Sequence, residues 1–250
     1  MIKLHKMLYQ KLYRIKKCVL NKNYYFYLYK RIQKPNLINT AYKKKLCSLR
    51  NFSPSIIKWF EDEAYDKIID YPLDKNSIVM DIGGCKGVWT EKIYNRFNCN
   101  IIVYEPVQEY YLIIKNKFAN NNKVVSKNYG LGKDNKEVLI EKRDDQSTTF
   151  VHNKDLVEKI NIKSIHEELS HYNKIDLMSI NIEGGEYELL DGILSNNLAH
   201  KISNLQIEFH EWFPSYKESH KLRKDIQNKL SITHNLSYCY PFFWESWHLK

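Results

Sequence analysis

Beyond about residue 75 the chain alternates short apolar runs with segments in which apolar residues return every three or four positions. The runs read as buried strands and the periodic segments as amphipathic helices. Strands are expected at 78–82, 101–104, near 123–127, 175–182 and 202–209, with a last pair near 231–249. Helices are expected at 88–97, near 107–118, 186–195 and near 217–230, with a helix or loop around 154–160. Helices standing between strands imply parallel neighbours joined by right-handed crossovers. The prediction is therefore an α/β protein, a doubly wound, mostly parallel sheet with its site at the carboxyl ends of the strands. Upstream, Pro54 opens a helical stripe of Ile57, Phe60, Ala64 and Ile68 that runs until Tyr71-Pro72, so the main domain is placed at 51–250.

Residues 1–50 differ in kind. They hold 14 of the 39 Lys and Arg residues and no Asp or Glu, which leaves 25 basic against 29 acidic residues in the rest. The net charge of +10 thus describes a basic arm on a mildly acidic body. Leu4, Leu8, Leu12, Ile15 and Val19 line one side of a helical wheel, and Lys3, Lys6, Arg14 and Lys17 the other. The aromatic run Tyr24 to Tyr29 suits either a membrane interface or packing on the main domain. Pro35 marks a hinge before the lysine run 43–45. On charge, residues 1–34 are expected to meet an anionic membrane surface or to pack back on the body.

The five cysteines are odd in number and never spaced as CxxC, which argues against both a zinc knuckle and an oxidised secreted framework. No metal ligand is singled out. No apolar run approaches the roughly 20 residues that span a bilayer, and the first 20 residues are too charged for a signal-peptide core. A cytoplasmic protein, peripheral at most to a membrane, is expected.

The chemistry concentrates at strand ends. Ile78-Val79-Met80-Asp81-Ile82-Gly83-Gly84-Cys85-Lys86-Gly87 is a strand ending in an acid, followed by a glycine turn and a helix start. Such turns present backbone to a nucleoside-like cofactor, with Gly83, Gly84 and Gly87 letting it approach. Asp81 favours a ligand carrying positive charge or hydroxyls over a pyrophosphate. Glu105, at the end of the second strand, is placed to accept two hydrogen bonds from a ribose diol. Asn181 and Glu183 share a face at the end of 175–182, and Glu208 and His210 do so at the end of 202–209. Glu183 is expected to orient His210, to take a proton directly or to cap the helix that follows, and His210 to be either a base titrating near neutrality or a hydrogen-bonded structural residue. Ser147 to Thr149, flanked by Asp144 and Asp145, form a polar loop, and Trp244, Trp247 and Phe242-Phe243 read as core.

Four motifs together, Asp81-x-Gly83-x-x-x-Gly87, Val103-Tyr104-Glu105-Pro106, Asn128-Tyr129-Gly130-Leu131-Gly132 and Ile180-Asn181-Ile182-Glu183-Gly184-Gly185-Glu186, resemble in order and spacing the FkbM family of methyltransferases. The resemblance covers about 75–212. It implies a seven-stranded, Rossmann-like class I methyltransferase fold, S-adenosyl-L-methionine as cofactor, and O-methylation of sugars or hydroxylated natural products. It also implies Asp81, Gly83 and Gly87 around the amino-acid part of the cofactor, Glu105 on its ribose, and Asn181 and Glu183 where cofactor and acceptor meet. The family often has Lys and Asp where this chain has Ser179 and Asn181, and an amide cannot act as a carboxylate ligand or base.

The expected function is methyl transfer to a hydroxyl of a saccharide or another polyhydroxylated acceptor. A nucleic-acid methyltransferase would want a basic catalytic face, which the acidic body disfavours. A dinucleotide oxidoreductase would want GxGxxG where this chain has GGxxG. A cofactor-binding scaffold without catalysis is the remaining alternative, suggested by Asn181.

Overall fold

The computed structural model describes residues 54–141, 157–211 and 214–250. The arm, the loop 144–149 and the expected start of a helix or loop at 154–156 lie outside the described residues.

Seven strands form the main sheet. They are β1 (Ile78–Ile82), β2 (Asn100–Tyr104), β3 (Val124–Lys127), β7 (Leu177–Ile180), β8 (Asn204–Ile207), β9 (His234–Tyr240) and β10 (Trp244–Leu249), in the order β3-β2-β1-β7-β8-β10-β9. The pairs from β3 across to β8 are parallel, and β10 runs antiparallel to β8 and β9. The chain winds outward from β1 toward β3 on one side and from β7 toward β8 on the other. The crevice between the carboxyl ends of β1 and β7 is therefore the place where such a sheet binds ligands.

Alternation along the strands divides the core. Met80, Ile82, Met178, Ile180, Leu205 and Ile207 are buried against α4 (Ile165–Ser170), α5 (Glu186–Ser195) and α6 (Tyr216–Thr233). Val79, Ile101, Val103 and Leu177 pack with Ile93 of α2 (Val88–Phe97) and Ile114 of α3 (Gln108–Lys117). Both faces are covered, which is why the central strands read as nearly continuous apolar runs. The start of α6 is fixed by Ser215 at the N-cap, whose hydroxyl accepts from the Glu218 amide and donates to its carboxylate.

Three local expectations change. The first helix stops early: α1 spans Pro54–Glu61, the chain turns through Glu63 at φ 49, and a short 3-10 helix covers Ala64–Ile68. The Tyr240 hydroxyl donates to Asp62 at 2.9 Å, tying this corner to β9. The segment read as helix or loop around 154–160 is strand from Val157. It forms β6 (Val157–Ser164), between β4 (Gly130–Gly132) and β5 (Lys136–Glu141) in a second, three-stranded sheet. Its Ile160 packs with Val107, Tyr110 and Ile140, with Ile162 beside them, while Lys159, Asn161 and Lys163 alternate between, a period of two. The last helix runs on to Thr233, so the final strand pair begins at His234.

The late aromatic residues are core as expected. Trp59 meets Tyr240 and Phe243 edge-on, with centroids 5.0 and 5.5 Å apart, and Trp247 joins the larger cluster. Among the described residues no helix is long and apolar enough to cross a membrane.

Candidate functional site

The turn after β1 is held by the strands beside it. The amides of Gly83 and Gly84 both donate to the Tyr104 carbonyl at the end of β2, at 3.0 and 3.3 Å. Gly83 sits at φ +90, and a Cβ there would lie 2.1 Å from the Asn181 carbonyl oxygen; one on Gly84 would lie 2.2 Å from the Val103 side chain. The space these glycines leave is thus filled by the protein's own strand ends, a tighter demand than room for a cofactor. Gly83→Ala is expected to cost about 1–3 kcal/mol, lowering the thermal midpoint on the order of 5 °C and loosening cofactor binding with it. Differential scanning fluorimetry with and without cofactor checks both.

Two buried carboxylates flank this turn. Glu105 accepts from the Cys85 amide at 2.7 Å through one oxygen and from the Val107 amide at 2.9 Å through the other, joining the end of β2 to the glycine turn. Each oxygen keeps a second lone pair for a ligand hydroxyl. Asp81 is tucked between β1 and the first turn of α2, where the Thr90 hydroxyl donates to it. Asn128, from the third motif, pins the same corner by donating to the Glu105 and Pro106 carbonyls, each at 3.1 Å. Among the described residues neither Glu105 nor Asp81 has a salt-bridge partner.

Their protonation follows from burial. It pushes Glu105 up to about 7, against the pull of the Val107 and Cys85 amides and with a push from the Asp81 charge. Burial likewise raises Asp81 to about 6, against the Thr90 hydrogen bond. Both groups hold protons more tightly than in the unfolded chain. Their contribution to stability is therefore full below their ordinary values, 3.8 and 4.5, and is lost as pH rises through about 6 and 7. A ligand that brings positive charge or hydroxyl donors favours the ionised forms. Binding is accordingly expected to release protons and to weaken about tenfold per pH unit between about 7 and 6, and more steeply below. Calorimetry in buffers of different ionisation enthalpy measures that release, and proton uptake would contradict it.

Across the crevice, the chain leaving β7 supplies the second half of the site. The Asn181 amide donates to the Ile82 carbonyl at 3.0 Å, and its side-chain Oδ1 is buried with no partner among the described residues. Glu183 adopts φ 50 and Gly184 φ 107, a left-handed corner uncommon for a non-glycine residue, before α5 begins at Glu186. The sequence reading put Glu183 and His210 at neighbouring strand ends, and the structure brings them together. His210 Nε2 lies 3.2 Å from Glu183 Oε2, and its Nδ1 lies 3.1 Å from Glu186 Oε1. Glu208 is buried at the end of β8, with its amide donating to the Ile180 carbonyl at 2.9 Å.

Two expectations about this cluster change. Burial pulls the His210 pKa down, but the facing Glu186 and Glu183 carboxylates outweigh it and carry it well above 6.5. The two carboxylates thus favour the imidazolium form, in which the ring is a hydrogen-bond donor to both of them. Nor does Glu183 cap α5. Gly185 stands at the cap, and the Gly184 amide donates to Glu186 Oε2 at 2.8 Å. Glu186, with a fully buried side chain, is the member of this cluster to which the sequence pattern assigns no role. Its place just after a glycine pair, at the first position of a helix, was the available signal.

Asp81, Glu105 and the orphaned Asn181 Oδ1 are acceptors at the ends of β1, β2 and β7. This set fits a ligand that carries hydroxyl donors and positive charge, such as a ribose diol joined to a sulfonium. Residues 81–229, more than half of the chain, match the family described as the methyltransferase FkbM domain. The chain belongs to the FkbM methyltransferase family. It is thus an S-adenosylmethionine-dependent methyltransferase with a class I, Rossmann-like fold, and the strand order carries that fold assignment.

No curated protein matches this FkbM-family chain in sequence. Among solved structures it is similar to a putative methyltransferase from Streptococcus mutans in complex with SAH, at 11% identity and TM-score 0.46, covering 75% of this chain and 97% of that one. It is also similar to an rRNA methylase from Streptococcus thermophilus, at 11% identity and TM-score 0.44, covering 75% and 94%. A third is a putative rRNA-methylase from Clostridium thermocellum, at 8% identity and TM-score 0.46, covering 76% and 96%.

A cleft of about 420 Å³ lies along the small sheet, lined by Asn128, Tyr129, Asn161 and Lys163 among others. It contains none of the buried carboxylates, so the chemistry is assigned to the mouth of the main sheet. Asn128 joins the two places.

Proposed function

We propose that this FkbM-family member methylates a hydroxyl of a saccharide or another polyhydroxylated acceptor. The observation that carries the reading is Glu183, a carboxylate held at 3.2 Å by the His210 ring at the mouth of the sheet, beside Asn181. A neutral amine acceptor needs no base to attack. A hydroxyl must lose its proton as its oxygen takes the methyl group, and Glu183 is the residue placed to receive it. S-Adenosylmethionine supplies the methyl on a sulfonium. Glu105 would fix its ribose and Asn181 its amino-acid end, so that alignment of the acceptor oxygen with the methyl carbon is the main contribution of the protein. The cleft lined by the amides of Asn128, Asn135 and Asn161 supports a hydroxyl-rich acceptor extending over the small sheet.

The test is transfer of tritiated methyl from S-adenosylmethionine onto cell-derived glycans, lipids and RNA in parallel. Label in glycans or glycolipids, as alkali-stable ethers, is the expected result. Label confined to RNA would overturn the acceptor class.

A further inference from the structure

Glu186 is the one carboxylate of the cluster whose side chain is entirely shut away from solvent; the His210 and Glu183 side chains are 9% and 13% exposed. Its two oxygens are fully engaged. Oε1 accepts from the His210 amide at 2.8 Å and faces ring Nδ1 at 3.1 Å, while Oε2 accepts from the Gly184 amide. It therefore binds the chain after β8 to the left-handed corner after β7. The Tyr187 hydroxyl adds a bond to the His210 carbonyl at 2.7 Å. Beyond the ring, Nε2 meets Glu183 Oε2, and Glu183 Oε1 has no partner among the described residues.

We propose that Glu186 is a positioning residue for methyl transfer: it anchors the His210 ring, and the ring holds one oxygen of Glu183 so that the other faces the acceptor hydroxyl. The inference rests on the assignment of Glu183 to the acceptor. A ring with a carboxylate oxygen at each nitrogen must donate from both, since a neutral ring would set a lone pair against one of them. An imidazolium paired with Glu183 alone would draw off the negative charge a base needs. Glu186 supplies the second negative charge, so the cluster of Glu183, His210 and Glu186 keeps a net charge of about one electron for the incoming proton. Arg223 of α6 does not take over this duty, because it is paired with Glu245 of β10 at 2.7 Å. Nearby Glu211 faces His220 at 2.8 Å, and Glu208 stands at the end of β8. The left-handed Glu183 backbone is the strained element that this anchor holds in place.

Nitrogen-15 histidine NMR of the full chain, titrated between about pH 5 and 9, reads the ring directly, with the signal assigned by its loss in His210→Gln. Both ring nitrogens are expected to carry protons at about pH 8, and Glu186→Gln is expected to lower proton affinity at least about tenfold. A singly protonated wild-type ring at that pH overturns the proposal whether or not any variant folds, and so does an unmoved midpoint in Glu186→Gln. With the acceptor found by methyl-transfer screening, Glu186→Gln should lower kcat about 10- to 100-fold at unchanged cofactor KM, and Glu186→Asp should restore part of it. Parallel loss of kcat and cofactor binding would make Glu186 purely structural and end the proposal. Full turnover in Glu183→Gln together with a shifted ring in Glu186→Gln would place the failure in the role of Glu183 and not in the anchor.

Discussion

Glu183→Gln is expected to cut the turnover of methyl transfer about 100- to 10,000-fold while leaving S-adenosylmethionine affinity within about threefold. The amide keeps the size of the side chain but cannot accept the hydroxyl proton at neutral pH. The left-handed corner and the buried Glu186 remain, so the fold is expected to survive, and a thermal melt checks that. Steady-state kinetics with the acceptor, alongside calorimetry with the cofactor, separates the two parameters. A loss below about tenfold would remove Glu183 as the base and leave alignment alone to explain catalysis.

Glu105→Ala is expected to act on binding. A charge-assisted hydrogen bond contributes about 1.5–3 kcal/mol, so affinity for S-adenosylmethionine should fall roughly 10- to 100-fold. A second effect adds to it. The same carboxylate ties the Cys85 amide to the Val107 amide, and Cys85 itself stands at φ 48 in the glycine turn. Without it the turn loses a fastening as well as a ligand, and both losses weaken binding. Glu105→Gln separates them, since the amide oxygen can still accept from one main-chain N–H while the charge is gone. Unchanged affinity in the alanine variant would show that the ribose lies elsewhere. The proton release expected on binding should also shrink in both variants, because Glu105 is the carboxyl whose value burial carries to about 7.

The parts of this site that the sequence discloses share one cause. The central strands are buried on both faces, so each reads as an apolar run that ends abruptly in polar residues, and those endings are the site. Asp81, Glu105, Asn181 and Glu183 were all visible in this way, and His210 by the same logic on the neighbouring strand. What was hidden depends on contacts between elements distant in sequence. The His210 ring is faced by Glu186, 24 residues earlier on a different element, and no pattern around His210 itself announces it. The small sheet escaped because β4 has only three residues, two of them glycines, and because the outer face of β6 alternates Lys and Asn where a strand signal needs apolar or β-branched residues. The glycines were read correctly as a turn, but the reason they are required is the closeness of the Asn181 carbonyl and the Val103 side chain. Of the helical stripe, Ala64 and Ile68 marked real packing positions, while in the first helix Ile56 and Trp59 pack where Ile57 was expected. The stripe could not disclose that the backbone leaves the helix at Glu61 and re-enters as a 3-10 turn.

The most direct measurement is a crystal structure of the full chain grown with S-adenosylhomocysteine. The ribose hydroxyls are expected on Glu105 and the amino-acid end beside Asn181, in the crevice between β1 and β7. Clear density for the nucleoside anywhere else, with that crevice bare, would contradict the account.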